Sequence, residues 1–546
     1  DLHTLTTGCK FPTNKSRGNL PRALSTTRIT KMSFFATLEQ QVQDHVAVAA
    51  TKTDRAEQFR AHSDAVAPTA GWVLPVAPQG ITLHGYQAAA VETLIKFDGG
   101  ILGFAPGMGK TAVALAAAAA WAAQGKRSVI VVPPSLRVDW ERAANRFFPH
   151  LTVEVVAGQK PAALPACDLL IIGDSVLAHR QNDVIGWAPS ALIVDEAQRH
   201  KNHKAKRSLA ALAISQAVRS ANGSVTLLTG TLAVNNPQEV WFPTRLTGVA
   251  AQVSGDESLK AFLKRWCATE EVWTGRQIVT VCAKEQDPSQ MEQLHNRLRH
   301  CGYIRVERDQ VLDLPSKVWA PRALELNGSL STYRTMEKNF LAWVASFRGD
   351  AAALRAARAE AITKMMALWA EAGSAKIGAV VEHAASLVEQ DEQVVIMAWH
   401  SKVVTGIEEA LEAQGISTAK VVGGMTSEQK TDAQDRFRSG QVRVIVCNIV
   451  AGGTGLNLEA SAHLIFAQLP WSAGDLTQAS DRVYRLTSTR GVTIHVDNAA
   501  NTIDERMFGV LAQKAIIVDQ INTGAVGATM DLQSAEDAVL ASFGFA

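Results

Sequence analysis

The chain has 546 residues, 47% hydrophobic and 19% charged, a length above what one core organises and a composition typical of globular proteins. Lysine plus arginine (54) nearly cancels aspartate plus glutamate (52), leaving a net charge of +2 that neither demands nor excludes a nucleic-acid partner. The six cysteines form no C-x-x-C pair, which excludes a zinc ribbon and argues against a disulfide framework; a reduced, intracellular setting is expected.

Residues 1–31 are rich in Ser, Thr, Lys and Arg and lack a signal-like apolar core. They are expected to be disordered or non-native, the alternative being a basic arm on nucleic acid. Met32 opens the first foldable stretch, and 32–79 is expected to be a helical extension. From 80 to 247, short apolar runs alternate with Ala/Leu-rich stretches: SVIVVP (128–133), LLII (169–172), ALIVDEA (191–197) and VTLLTGT (225–231). Such runs between helices predict a parallel sheet covered on both faces. The apolar run Ala112–Ala123 is too short to span a bilayer and reads as a packed helix.

Within this segment, Ala105-Pro-Gly-Met-Gly-Lys-Thr111 lies between GGILGF and that helix. A triphosphate needs backbone N–H groups converging on its oxygens, which Gly107, Met108 and Gly109 would provide at a helix N-terminus. Lys110 would reach the β and γ phosphates, and Thr111 would hold Mg²⁺. Gln87 is a candidate for an adenine edge, although a glutamine in a helix is more often a surface residue. Asp195-Glu196-Ala197-Gln198 follows the strand ALIV, placing two carboxylates at the same sheet end. Asp195 would organise Mg²⁺, and Glu196 would orient and deprotonate water.

Residues 248–375 read as a mainly helical insertion, with a short hairpin near WTGRQIVTVCA. A second alternation covers 376–525: QVVIMAW (393–399), VRVIVCN (442–448), HLIFAQLP (463–470) and VTIHVD (492–497). It predicts a second α/β lobe, with a tail at 526–546. After a strand there lies Ala451-Gly-Gly-Thr-Gly-Leu-Asn457, containing Thr454 and Gly455. Then comes Gln478-Ala-Ser-Asp-Arg482-Val-Tyr-Arg485. On a helix, 478, 482 and 485 share one face, either a solvated basic surface or a set meant to close on the first lobe's phosphates.

In this order the elements resemble the superfamily-two helicases (DEAD/DEAH-like), specifically the Swi/Snf-type ATPases. GMGKT is similar to motif I, VIVVPPSLRVDW to Ia, DEAQ to II and LLTGTLAVNNPQEVW to III. YIRVERDQVLDLPSK resembles the segment joining the lobes, VVIMAWHSKVVTGIEEAL motif IV, AGGTGLNL motif V and QASDRVYR motif VI. The last three look closest to the annealing-helicase subgroup. The resemblance implies two tandem RecA-like lobes, an ATP- and Mg²⁺-dependent, DNA-stimulated ATPase, and tracking on duplex or branched DNA. It implies catalytic roles for Asp195, Glu196, Gln198, Arg482 and Arg485, and nucleotide contacts by Gln87, Gly107, Met108, Gly109, Lys110, Thr111, Gly455 and Gln478. Phe104, Gln198 and Leu232 depart from the commoner acidic residue, histidine and proline, and none removes a catalytic group.

Tracking along any sequence requires phosphate rather than base contacts. The candidates are Ser135, Arg137, His400, Lys402, Thr454 and Asn457, with Ser401 and the KNHKAKR run (201–207) as further options; a charge run is also a common solvated loop. Trp241 and Trp399 are assigned to the core. RNA remains possible as a track, no membrane is expected, and the setting is cytoplasmic (a bacterial or phage-associated nucleoid) or nuclear in a eukaryote. The rivals are a strand-separating helicase and a nucleotide-dependent scaffold with little turnover.

Overall fold

The computed structural model describes residues 55–230, 232–233, 236–273, 278–283, 285–311, 315–326, 330–347, 353, 356–452, 456–485, 488–511, 530–531, 539–540 and 542–543. The expectations for 1–31, for Thr454 and Gly455, and for most of 526–546 lie outside the described residues. Of the extension 32–79, the described part is helical over 55–62 and turns and extended chain thereafter.

Four of the apolar runs read from 80–247 are strands, joined by two that the runs did not mark. They are β1 (Gly99–Leu102), β2 (Ser128–Val132), β3 (Val153–Val156), β4 (Leu169–Gly173), β5 (Ala191–Val194) and β6 (Ser224–Leu228). Next come the hairpin β7 (Thr269–Trp273) and β8 (Ile278–Cys282), then β9 (Glu285–Gln286) and β10 (Tyr303–Ile304). The first sheet is parallel, in the order β10-β1-β6-β5-β2-β4-β3. Its alternating residues feed two cores: Val129, Leu170 and Leu192 face one side, and Ile130, Ile171 and Ile193 the other. The helix Lys110–Ala122 is buried from Val113 to Trp121, as its all-round apolar sequence requires.

β11 (Lys317–Leu324), β12 (Val394–Ala398), β13 (Thr418–Val421), β14 (Val444–Asn448), β15 (His463–Phe466) and β16 (Val492–Ala499) form the second sheet. It too is parallel, in the order β11-β16-β15-β12-β14-β13, and its alternation again splits two cores, Val395 and Met397 against Val394 and Ile396. The segment 248–375 is therefore more than a helical insertion. It lends β10 to the first sheet and β11 to the second, besides helices such as Pro288–Cys301 and Arg358–Ala375. Met530–Asp531 (β17) pairs with β9, so the tail returns to this segment.

Beyond the helix Arg358–Ala375 sits a buried ion pair. The Lys376 ammonium donates to the Asp504 carboxylate and to the Asp497 carbonyl oxygen at 2.6 Å, and both charged side chains are almost fully enclosed. Removing one partner of such a pair strands the other charge, at a cost of about 3–5 kcal/mol. Lys376→Met is expected to destabilise the protein by that amount in urea unfolding. A loss below about 1 kcal/mol would mean that Asp504 finds solvent once its partner is gone.

Candidate functional site

β6 lies between β1 and β5, so the segments leaving the carboxyl ends of these three strands are neighbours. The first is the glycine loop. Gly107 (φ +83°) and Gly109 (φ +80°) both occupy the left-handed region that favours glycine. A Cβ on Gly109 would stand 2.3 Å from Gln87 Nε2. The Lys110 ammonium folds back over the loop, donating to the Phe104 and Ala105 carbonyl oxygens at 2.9 and 3.3 Å. The helix carrying Thr111 then runs away from it.

Gln87 is turned into the glycine loop and not toward solvent. Its Oε1 accepts from His84 N at 2.9 Å, while Nε2 donates to Met108 O at 3.1 Å and stands 3.4 Å from Tyr86 Oη. Tyr86 Oη donates to the same Met108 carbonyl at 3.1 Å. The glutamine is buried, both ends of its amide are committed, and it braces the loop. Phe104 is fully buried against Tyr86, with ring centroids 5.3 Å apart, so an apolar residue stands at that position because it is core. Leu232 is likewise buried.

At the end of β5, Asp195 Oδ1 accepts from Glu196 N and Oδ2 from Trp140 Nε1, each at 2.9 Å. Glu196 has φ +48°, an uncommon and strained conformation for a residue with a side chain. Its Oε2 accepts from Gln198 Nε2 at 2.6 Å, and Gln198 Oε1 accepts from Thr229 Oγ1, just past β6, at 2.9 Å. The second lobe arrives at the same carboxylate. Gln478 Nε2 donates to Glu196 Oε2 at 3.3 Å, and Arg482 lies 3.9 Å from Oε1.

The single helical face read for 478, 482 and 485 is only partly right. The helix Ala473–Ser480 stops before the arginines. Lys317, from β11, ties down Ser480 Oγ and the buried Asp481 carboxylate at 2.8 Å each, and the Arg482 carbonyl accepts from Leu458 N. A turn therefore delivers Arg485 separately. Its Cα would lie 3.1 Å from a Cβ on Gly107, and its Nη2 donates to Leu456 O at 2.6 Å.

Burial dominates the electrostatics. It lowers Lys110 to about 8 against the raising effect of Glu196 and Asp195, and lowers Arg485 to about 10. Arg482 is also lowered, by burial first. Burial, then the Glu196 charge, pushes Asp195 up to about 6. Acids shifted up and bases shifted down in one enclosed place mark it as a candidate functional site.

The SNF2-related domain family matches residues 28–366, and the helicase conserved C-terminal domain matches 375–487. The chain belongs to the SNF2-related family. Among its relatives, the DNA annealing helicase and endonuclease ZRANB3 of Bos taurus is 25% identical over 77% of this chain and 38% of its own length. The SWI/SNF-related matrix-associated actin-dependent regulator of chromatin subfamily A-like protein 1 of Xenopus tropicalis is 26% identical over 81% of this chain and 45% of its own. The chain thus spans less than half the length of these relatives. A solved Sulfolobus solfataricus SWI2/SNF2 ATPase core in complex with dsDNA aligns at 19% identity and a TM-score of 0.39, covering 83% of this chain and 96% of that one. The two family matches fall on a chain with two parallel sheets.

The residues expected to touch nucleic acid are scattered more widely in this SNF2-related chain. Ser135 lies within the turn Pro134–Leu136 and Arg137 follows it; Arg137 Nε donates to Pro134 O, and the same carbonyl accepts from Ser427 Oγ of the second lobe at 2.8 Å. His400 caps the helix Ser401–Ala413, with Gln468 at its backbone N–H and Trp369 edge-on to its ring. Lys402 is exposed, and Asn457 N donates to Gln434 Oε1. In the KNHKAKR run, Lys201 pairs with Glu239 and Arg207 with Asp174, leaving Lys204 and Lys206 exposed. Trp241 is core as assigned, whereas Trp399, also assigned to the core, is only half-buried against it.

Sequence reasoning missed Trp140, Tyr86 and Thr229 as parts of the site, because each acts through a partner distant along the chain. No helix among the described residues is long and apolar enough to cross a membrane. A metal organised by Asp195 requires its carboxylate ionised. Affinity for Mg²⁺-nucleotide is therefore expected to be retained above pH 6 and to fall as Asp195 takes up a proton below it. An affinity that stays flat from pH 5 to 8 in an equilibrium titration would contradict this.

Proposed function

We propose that this chain is an ATP-driven motor that tracks on duplex or branched DNA, remodelling or annealing it. One observation carries the reading: Glu196 of the first lobe meets Gln198 from its own side and Gln478 and Arg482 from the other. A carboxylate shared in this way is complete only when the lobes are together, which couples its chemistry to closure. The name of the relative ZRANB3, a DNA annealing helicase and endonuclease, supports the choice of track. On this reading 80–247 and 376–525 work as the two lobes.

The residues fit Mg²⁺-ATP. At Gly107 and Gly109 a Cβ would run into Arg485 and Gln87, so the loop requires glycine there, and Lys110 folds back over it. Thr111 and Asp195 would hold Mg²⁺. Among the described residues no three His, Cys, Asp or Glu side chains are grouped to hold a metal, which suits an ion that takes few protein ligands and completes its shell with phosphates and water. Bound there, Mg²⁺-ATP supplies the bond whose cleavage drives the motor. The chain positions it with the backbone of Gly107 to Gly109, with Gln87 bracing that loop, and with Lys110 on the phosphates. Glu196 takes the proton of the attacking water, Gln198 and Gln478 orient that carboxylate, and Arg482 and Arg485 oppose the developing negative charge. Ser135 and Arg137 on one lobe and His400, Lys402, Thr454 and Asn457 on the other would grip DNA phosphates in turn.

The test is steady-state ATP hydrolysis without nucleic acid and then with single-stranded, duplex or forked DNA, or RNA. Strong stimulation by duplex or forked DNA is expected. Lys110→Ala and Glu196→Gln should each abolish it. Arg485→Ala should lower turnover on the order of 10³-fold while leaving nucleotide binding largely intact. ATP bound without stimulation by any nucleic acid would replace the motor with a nucleotide-dependent scaffold, and normal hydrolysis by Glu196→Gln would remove it as the base.

A further inference from the structure

Trp140 lies in the helix Arg137–Phe147, next to the turn that carries Ser135, and its ring is buried. An indole has a single donor, and this one is spent on Asp195 Oδ2 at 2.9 Å, across 55 positions of sequence. The other oxygen of the same carboxylate is held by Glu196 N. Two donors on two oxygens fix the plane of the Asp195 carboxylate before any ligand arrives. Two positions further along the helix, Arg142 lies about 200° around it from Trp140. Arg142 faces outward and pairs with Asp435 of the second lobe at 3.0 Å. Asp435 belongs to the helix Ser427–Arg438, whose Ser427 also reaches the carbonyl of Pro134. One helix of three turns thus touches the second lobe on its outer side and the site carboxylate on its inner side, and begins at the candidate phosphate contact Arg137.

We propose that Trp140 is a positioning residue: its indole N–H holds Asp195 in the orientation from which it organises Mg²⁺, and it ties that orientation to the placement of the helix Arg137–Phe147. This rests on the reading of Asp195 as the metal-organising carboxylate. The hydrogen bond acts as an outer-shell partner does at other metal sites, where its loss costs about 10- to 100-fold in metal affinity.

The experiment measures binding of a fluorescent ATP analogue to the whole chain by equilibrium titration, with Mg²⁺ and again with EDTA. Trp140→Phe keeps an aromatic ring and removes the donor. It is expected to weaken binding about 10- to 100-fold in Mg²⁺ and to leave binding in EDTA unchanged. Trp187→Phe is the control, since it removes an equally well-made indole bond, to Pro165 O at 2.8 Å, on the far side of the lobe from the site. It should change neither value. A wild-type ratio of Mg²⁺ to EDTA affinity in Trp140→Phe overturns the proposal, as does an equal loss in both conditions. A wild-type protein that binds equally well with and without Mg²⁺ would instead sink the reading of Asp195, and the proposal with it. Should Trp140→Phe fail to fold, hydrogen–deuterium exchange on the wild type decides: Mg²⁺-nucleotide should slow exchange in Arg137–Phe147 more than nucleotide in EDTA does, and equal exchange would overturn the proposal.

Discussion

Glu196 is a carboxylate at the end of a buried parallel strand, held at positive φ and shared between two lobes that have separate cores. Burying a charge is costly unless donors surround it, and strain of this kind persists only where neighbours over-determine it. Here the neighbours are Gln198, itself held by Thr229, and then Gln478 and Arg482 from the second lobe. Part of the set that stabilises the anion therefore lives on a separate sheet. Separating the lobes would leave Glu196 with the donors of its own lobe alone, and on the proposed reading closure and chemistry are then one event.

The architecture supplies what that arrangement needs. Each sheet is parallel and has its own pair of cores, and polar contacts join the lobes: Ser427 on Pro134, Arg142 on Asp435 and Gln478 on Glu196. Solvated pairs such as Arg142–Asp435 stabilise by only about 0–1 kcal/mol. An interface built from such contacts can open and close at small cost, whereas the four cores cannot. Burial also lowers Lys110, Arg482 and Arg485 at the seam, so an anion placed among them would favour their charged forms.

Much of this was legible from residues close together in sequence. Apolar runs of four or five between helical stretches can hardly be anything but strands of a covered parallel sheet, and β2, β4, β5, β12 and β14 fell where the runs lay. The glycine loop was legible because two left-handed positions and a helix N-terminus are local properties. The order of the loops along the chain was enough to place Lys110 and Asp195 at one sheet end.

What sequence alone could not fix is whatever depends on which surfaces meet. β10 has two residues, and β11 is half-exposed on the sheet edge, so neither carries a hydrophobic run, and only pairing with β1 and β16 makes them strands. Gln87 read as a base-edge candidate or a helix-surface residue, yet it is buried and donates to the backbone of Met108. The Gln478–Arg485 run has helical spacing, yet the helix stops at Ser480, where Lys317 from another segment holds Ser480 and Asp481. Trp140 finds Asp195 only because β2 and β5 are neighbours in the sheet. Sequence by itself determined the elements and the phosphate loop, because those are set by backbone freedom and local periodicity. Tertiary structure decided which donors reach Glu196 and Asp195, because hydrogen-bond partners are chosen by distance in space.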